Sequence, residues 1–136
     1  KELEKTGVVY GGFIPYKDIH AKLAEADCLL VTSSFSKEWR THSKGSVQTK
    51  LTDYMKAARL IISCGPAYAA NNEFIKKYNC GICIETDNEA KAAQEIDAIL
   101  DNMPTTKNSI VNGIEALKNN FSFEVVHQRL KDFLAA

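Results

Sequence analysis

The run Leu60-Ile61-Ile62-Ser63-Cys64, closed by Gly65-Pro66, constrains this chain more than any other stretch. Successive residues of a strand point to opposite faces, so a run that does not alternate must be covered on both. It therefore predicts a strand of a parallel sheet with helices on each side. Just upstream, Leu51, Tyr54, Met55 and Ala58 recur at helical spacing, one buried stripe of a helix read from Ser46 onward. Lys50 and Asp53 share the face beside that stripe. A base and an acid near the start of a helix that feeds a buried strand is an arrangement many α/β proteins use around a nucleotide. A solvated ion pair looks the same in sequence.

Elsewhere the pattern alternates between strand and helix. Thr6 to Tyr10 reads as a strand breaking at Gly11-Gly12, and Tyr16 to Ala26 as a helix with Ile19, Leu23 and Ala26 on one face. Asp27 to Thr32 is a second strand without alternation, hence central and parallel. Ser33 to Gly45 is polar and irregular, a long loop of the kind that carries function. Beyond Gly65 come a helix over Ala69 to Tyr78, a strand over Gly81 to Glu85, and a helix over Glu89 to Leu100. The last of these turns Ala93, Ile96, Ile99 and Leu100 inward. Met103-Pro104-Thr105-Thr106 breaks the pattern before two closing helices. These are Ser109 to Asn119 (Ile110, Ile114 and Leu117 inward) and Ser122 to Leu134 (Val126, Leu130, Phe133 and Leu134 inward), with Ser122 as N-cap. The expected fold is α/β over residues 1–136 as one domain. It is a partial Rossmann-like parallel sheet of about four strands, flanked by helices and ended by C-terminal helices. Ligands of such sheets bind beyond the C-terminal strand ends. Gly11 to Tyr16, Ser33 to Gly45 and the start of the Val47 helix converge there.

Seventeen basic and seventeen acidic side chains cancel, so nothing in the charge balance points to a nucleic-acid surface or a polybasic membrane patch. No apolar run approaches the roughly 20 residues of a membrane span. Lys1-Glu2-Leu3-Glu4-Lys5 is not a signal peptide, and without an initiator Met the chain reads as a piece of a longer one. Cys80-Gly81-Ile82-Cys83 has redox or zinc spacing but lacks a second pair and lies in a strand-like run. With Cys28 and Cys64 in apolar strands, the four cysteines read as reduced core residues and place the chain in the cytoplasm. There is no Asp-x-Asp pair and no His cluster, so no metal is expected.

The order of these segments resembles the C-terminal domain of retaining GT-B glycosyltransferases of the family 4 type. Tyr10-Gly11-Gly12-Phe13-Ile14-Pro15-Tyr16 matches a strand, glycine and turn before a helix, and Glu25-Ala26-Asp27-Cys28-Leu29-Leu30 matches that helix's ending. Lys50-Leu51-Thr52-Asp53-Tyr54-Met55 is similar to the family's Lys-x-x-Glu-Tyr-Met helix. Asn72-Glu73-Phe74-Ile75 with Gly81-Ile82-Cys83-Ile84, and Phe121-Ser122-Phe123-Glu124, follow in the family's order. The resemblance implies a domain that binds a nucleotide diphosphate sugar as substrate, with no further cofactor. Asp53 would bond the ribose hydroxyls, and Lys50 with the amides of Ser46, Val47 and Gln48 would face the diphosphate. Phe13, Ile14 and Pro15 would lie along the base, and Gly45 and Ser46 beside the phosphates. No catalytic residue is assigned. The acceptor, a sugar or lipid, would be held by a missing N-terminal domain. Through that domain the enzyme could associate peripherally with the cytoplasmic face of a membrane.

Departures from the family pattern point the other way. A Glu common eight residues before the ribose acid is Gly45, the ribose acid is Asp, and the family's Gly and Pro after the helix are Ala58 and Leu60. Two βα units that carry phosphate ligands are absent, so the chain alone is expected to be inactive. An alternative is a non-catalytic α/β interaction domain that keeps the fold; another is a GT-B epimerase. His20, His42 and His127 read as surface residues. Trp39 between Glu38 and Arg40 reads either as a lid or as a packing contact. Ser43-Lys44-Gly45-Ser46 lacks the full phosphate-loop spacing, and Ser33-Ser34 has no nucleophile elbow around it.

Overall fold

The computed structural model describes residues 7–135; Lys1 to Lys5 and Thr6, part of the first expected strand, lie outside them. Helices are α1 (Tyr16–Leu23), α2 (Arg40–Gly45), α3 (Lys50–Lys56), α4 (Ala70–Tyr78), α5 (Glu89–Asp101), α6 (Lys107–Ala116) and α7 (Phe123–Ala135). Strands are β1 (Cys28–Thr32), β2 (Leu60–Cys64) and β3 (Ile82–Ile84). They form a parallel sheet in the order β1-β2-β3, with Leu30 opposite Ile62 and Ile62 opposite Ile82. The protein is α/β, a small parallel sheet flanked by helices. Among the described residues no helix is long and apolar enough to cross a membrane.

β2 is the central strand, and its Leu60, Ile61, Ile62 and Ser63 are all buried, as a strand covered on both faces requires. On one face Ile61 and Val31 pack with Leu51 and Met55 of α3, Ile75 of α4 and Ala116 of α6. On the other, Leu60, Ile62 and Ile84 pack with Ala92, Ile96 and Ile99 of α5 and Ile110 of α6. On α5 the inward alanine is thus Ala92, not Ala93, and Leu100 is exposed, as is Ile114 of α6. The Gly113 that follows Ile110 on α6 is buried instead, against Met55 and Cys80.

Two expectations about the sheet are corrected. Among the described residues there are three strands, not four, because residues 8–10 pair with nothing and their side chains are exposed. Among the described residues β1 is an edge strand, and its Leu30 is half exposed. Its buried Leu29 and Val31 share one face; on the other, Cys28 is half-buried against the second core cluster while Leu30 and Thr32 are exposed. Ser33 donates its N–H inward to Cys64 O (2.8 Å), so alternation turns the carbonyls of Leu30 and Thr32 outward. Tyr54 Oη donates to the first (3.2 Å) and Gln48 Nε2 to the second (2.6 Å), which occupies this edge with side chains.

The Ser33 to Gly45 stretch is not a long loop. A 3₁₀ turn over Lys37–Trp39 runs into α2. The α3 helix starts at Lys50 instead of Ser46, and α1 stops at Leu23, where Arg59 donates Nε to Ala24 O (2.9 Å) and ties the turns before β1 and β2 together. Ser122 does cap α7, accepting from Val125 N at 3.4 Å. The α7 stripe is not buried, however: Val126, Leu130, Phe133 and Leu134 are half exposed or more.

α3 ends through Ala58, whose φ of 54° is left-handed. That region costs an L-residue roughly 1–2 kcal/mol, against the 0.5–1 kcal/mol that glycine loses in chain entropy. Ala58→Gly should therefore raise stability by about 0.5–1 kcal/mol, read as a higher urea midpoint at unchanged slope. An unchanged midpoint would show that the turn is unstrained.

Candidate functional site

The C-terminal end of β1 opens into a cleft of about 230 Å³. Thr32, Ser33 and Ser34 form its floor; Trp39, His42, Ser43 and Ser46 come from the 3₁₀ turn, α2 and the residue after it; Gln48 closes it. Buried polar side chains set this shape. Asn71, fully buried at the start of α4, accepts from Gln48 N (2.9 Å) and donates Nδ2 to Ser33 Oγ (3.0 Å). Ser43, also buried, donates Oγ to Ser34 O (3.2 Å), which holds α2 against the end of β1. Trp39 and His42 meet edge to face, centroids 5.9 Å apart, and the Arg40 guanidinium lies 4.7 Å from the centre of the Tyr68 ring. Hydroxyls, an imidazole and an indole line the cleft, donors and acceptors suited to a polar ligand with hydroxyls or anionic oxygens.

The expected site residues divide between this cleft and the seam between α1 and α3. Ser46 lines the cleft. Gly45 ends α2, and a side chain there would meet open space, so no close backbone approach depends on it. Lys50 opens α3 with its ammonium 5.9 Å from the centre of the Tyr54 ring. Asp53, one turn on, faces α1, where its Oδ1 lies 4.0 Å from His20 Nε2. Phe13 is almost fully exposed, Ile14 is half-buried, and Pro15 is the N-cap residue of α1. Neither Lys50 nor Asp53 is among the cleft-lining residues. The expectation that Ser46, Val47 and Gln48 offer free helical amides is overturned: they precede the helix, and Gln48 N–H is taken by Asn71.

Burial, then the neighbouring Asp53 charge, pushes the Tyr54 phenol up and keeps it the donor that Leu30 O needs. Cys80 and Cys83 are free thiols. Burial pushes each up to about 11, so neither supplies a thiolate near neutral pH.

The sequence reading gives no buried polar role to Asn71 or Asn72. Two polar residues opening a short helix look like surface; only their distant partners, Ser33, Gln48 and Ser63, show otherwise.

No protein-family model, curated protein or solved structure matches this chain.

Proposed function

We propose that this chain is the nucleotide-sugar-binding part of a retaining GT-B glycosyltransferase, which moves a sugar from a nucleotide diphosphate sugar to a sugar or lipid acceptor held by another domain. The observation that carries the reading is the placement of the Lys50–Asp53 pair. α3 leaves the cleft at the C-terminal end of the sheet, beside α1, with the base on its first residue and the acid one turn on. The left-handed Ala58 adds support, since it occupies a position where the resembling family carries glycine, the residue that conformation favours.

In this reading Asp53 accepts from both ribose hydroxyls and Lys50 neutralises charge that develops on the leaving diphosphate. Ser33, Ser34, Ser46 and His42 offer hydrogen bonds to the phosphates and sugar, and Trp39 covers them.

The test is a titration of the chain with UDP, GDP, ADP and their sugar conjugates, followed by amide NMR. Expected are shifts at residues 13–16 and 45–53 for one of the nucleotides. Shifts confined elsewhere, or none at millimolar nucleotide, would overturn the reading. They would favour a non-catalytic interaction domain, for which the exposed apolar stripe of α7 speaks. Such a domain should keep its partner affinity when Lys50 and Asp53 are both neutralised.

A further inference from the structure

We infer that His20 is a positioning residue for Asp53 that makes nucleotide binding sensitive to acid; the inference rests on the donor-site reading of Asp53. The His20 ring sits in the seam between α1 and α3. Its Nε2 lies 4.0 Å from Asp53 Oδ1 and 3.5 Å from Lys56 Nζ. Asp53 and Lys56 are three residues apart on α3, so one helix face presents an anion and a cation to the same ring nitrogen. The other nitrogen, Nδ1, is shut off from solvent and has no hydrogen-bond partner among the described residues. Exchange of partners therefore falls to Nε2.

The two settings follow from imidazole chemistry. A neutral ring that carries its proton on Nδ1 offers the Nε2 lone pair to the Lys56 ammonium and leaves Asp53 free. A protonated ring must donate from Nε2, which favours Asp53 and repels Lys56. A carboxylate engaged by an imidazolium has fewer lone pairs for a ribose diol and is held toward α1. Acid thus draws Asp53 away from its ligand, and neutral pH releases it.

The first arm of the test needs no ligand: side-chain carboxyl NMR of Asp53 across about pH 5 to pH 8. The Asp53 Cγ resonance should inflect in that range in the natural chain and not in His20→Gln. An Asp53 resonance that is flat in the natural chain overturns the inference without any variant. The second arm measures nucleotide affinity at about pH 5.5 and pH 8, with His20→Gln as control for the phosphate's own protonation. The loss of affinity in acid should be roughly two- to fivefold larger in the natural chain than in His20→Gln, the effect of a half-exposed ion pair. Lys56→Gln, which removes the ammonium that holds the neutral ring's Nε2 lone pair, lets a neutral Nε2–H ring donate to Asp53 as well and should shrink that difference. Equal losses in all three chains overturn the gating alone; no binding of any nucleotide at pH 8 overturns the donor-site reading.

Discussion

Replacing Gly81 by alanine should lower the unfolding free energy by about 2–4 kcal/mol, a large share of the 5–15 kcal/mol typical of a domain. Gly81 stands directly before β3 and lies against the central strand. A methyl group built on it would overlap the carbonyl oxygen of Ile61 and sit 3.1 Å from Ile61 Cβ. An overlap with a flexible side chain is relieved by a rotamer change, but this one is with the backbone of β2. Ile61 is paired with Leu29, and the next residue, Ile62, with both Leu30 and Ile82. Moving that carbonyl disturbs both ladders. Gly45→Ala is the control, because nothing lies within 4 Å of a methyl group there, and it should change stability by less than about 0.5 kcal/mol. Urea denaturation of the two variants decides the matter. A Gly81→Ala midpoint close to that of the natural chain would mean that β3 does not press on β2 in this way.

The local parts of the fold were legible in the sequence, and the shared ones were not. β2 was readable because burial on both faces leaves an unbroken apolar run. Leu51 and Met55 were readable because a stripe at helical spacing needs only one helix. The identical argument misplaced β1, since an apolar run shows that a strand is largely covered and not how many neighbours it has. The start of α3 was misread for a different reason. Ser46 to Gln48 suit a first helical turn, but Asn71, 23 residues beyond Gln48, captures the Gln48 N–H and holds the segment out of the helix. For α7, amphipathic periodicity predicts that a face will be covered. It cannot say by what, and among the described residues Val126, Leu130 and Phe133 remain open.

The candidate site divides along the same line. Lys50 and Asp53 could be nominated from helical spacing, and α3 carries both. The cleft beside them could not, because its walls are joined by hydrogen bonds between residues 9 to 38 apart: Ser43 to Ser34, Gln48 to Asn71, Asn71 to Ser33. A serine-rich stretch that reads as solvent-exposed loop becomes a structured wall once Ser43 is buried against the end of β1.

Asn72→Ala should cost about 3–5 kcal/mol, because this side chain bonds three buried groups at once. Asn72 is fully buried; its Oδ1 accepts from Ser63 Oγ at 2.5 Å, and its Nδ2 donates to Gly65 O (2.8 Å) and Pro66 O (3.3 Å). Truncation leaves a buried hydroxyl and the Gly65 carbonyl without partners, each worth roughly 1–3 kcal/mol, and opens a small cavity among them, while Pro66 O keeps the bond from Ala69 N (2.8 Å). Ser63→Ala should cost less, about 1–2 kcal/mol, since it orphans one acceptor and leaves Nδ2 bonded. In the double variant both ends of the Ser63–Asn72 bond are gone, so the penalties should fall short of their sum by about 1–2 kcal/mol. Denaturant unfolding of the four proteins closes the cycle, and strict additivity would show that Asn72 acts through its bonds to the turn alone. The turn matters for the site as well. Gly65 N donates to Ile84 O (3.0 Å), and a side chain at Gly65 would collide with Ser33, the residue that Asn71 holds at the floor of the cleft. Loosening the turn after β2 therefore reaches the cleft through Ser33, and Asn72→Ala should perturb the amide resonances of Ser33 and Ser34 more than those of α5, on the opposite face of the sheet.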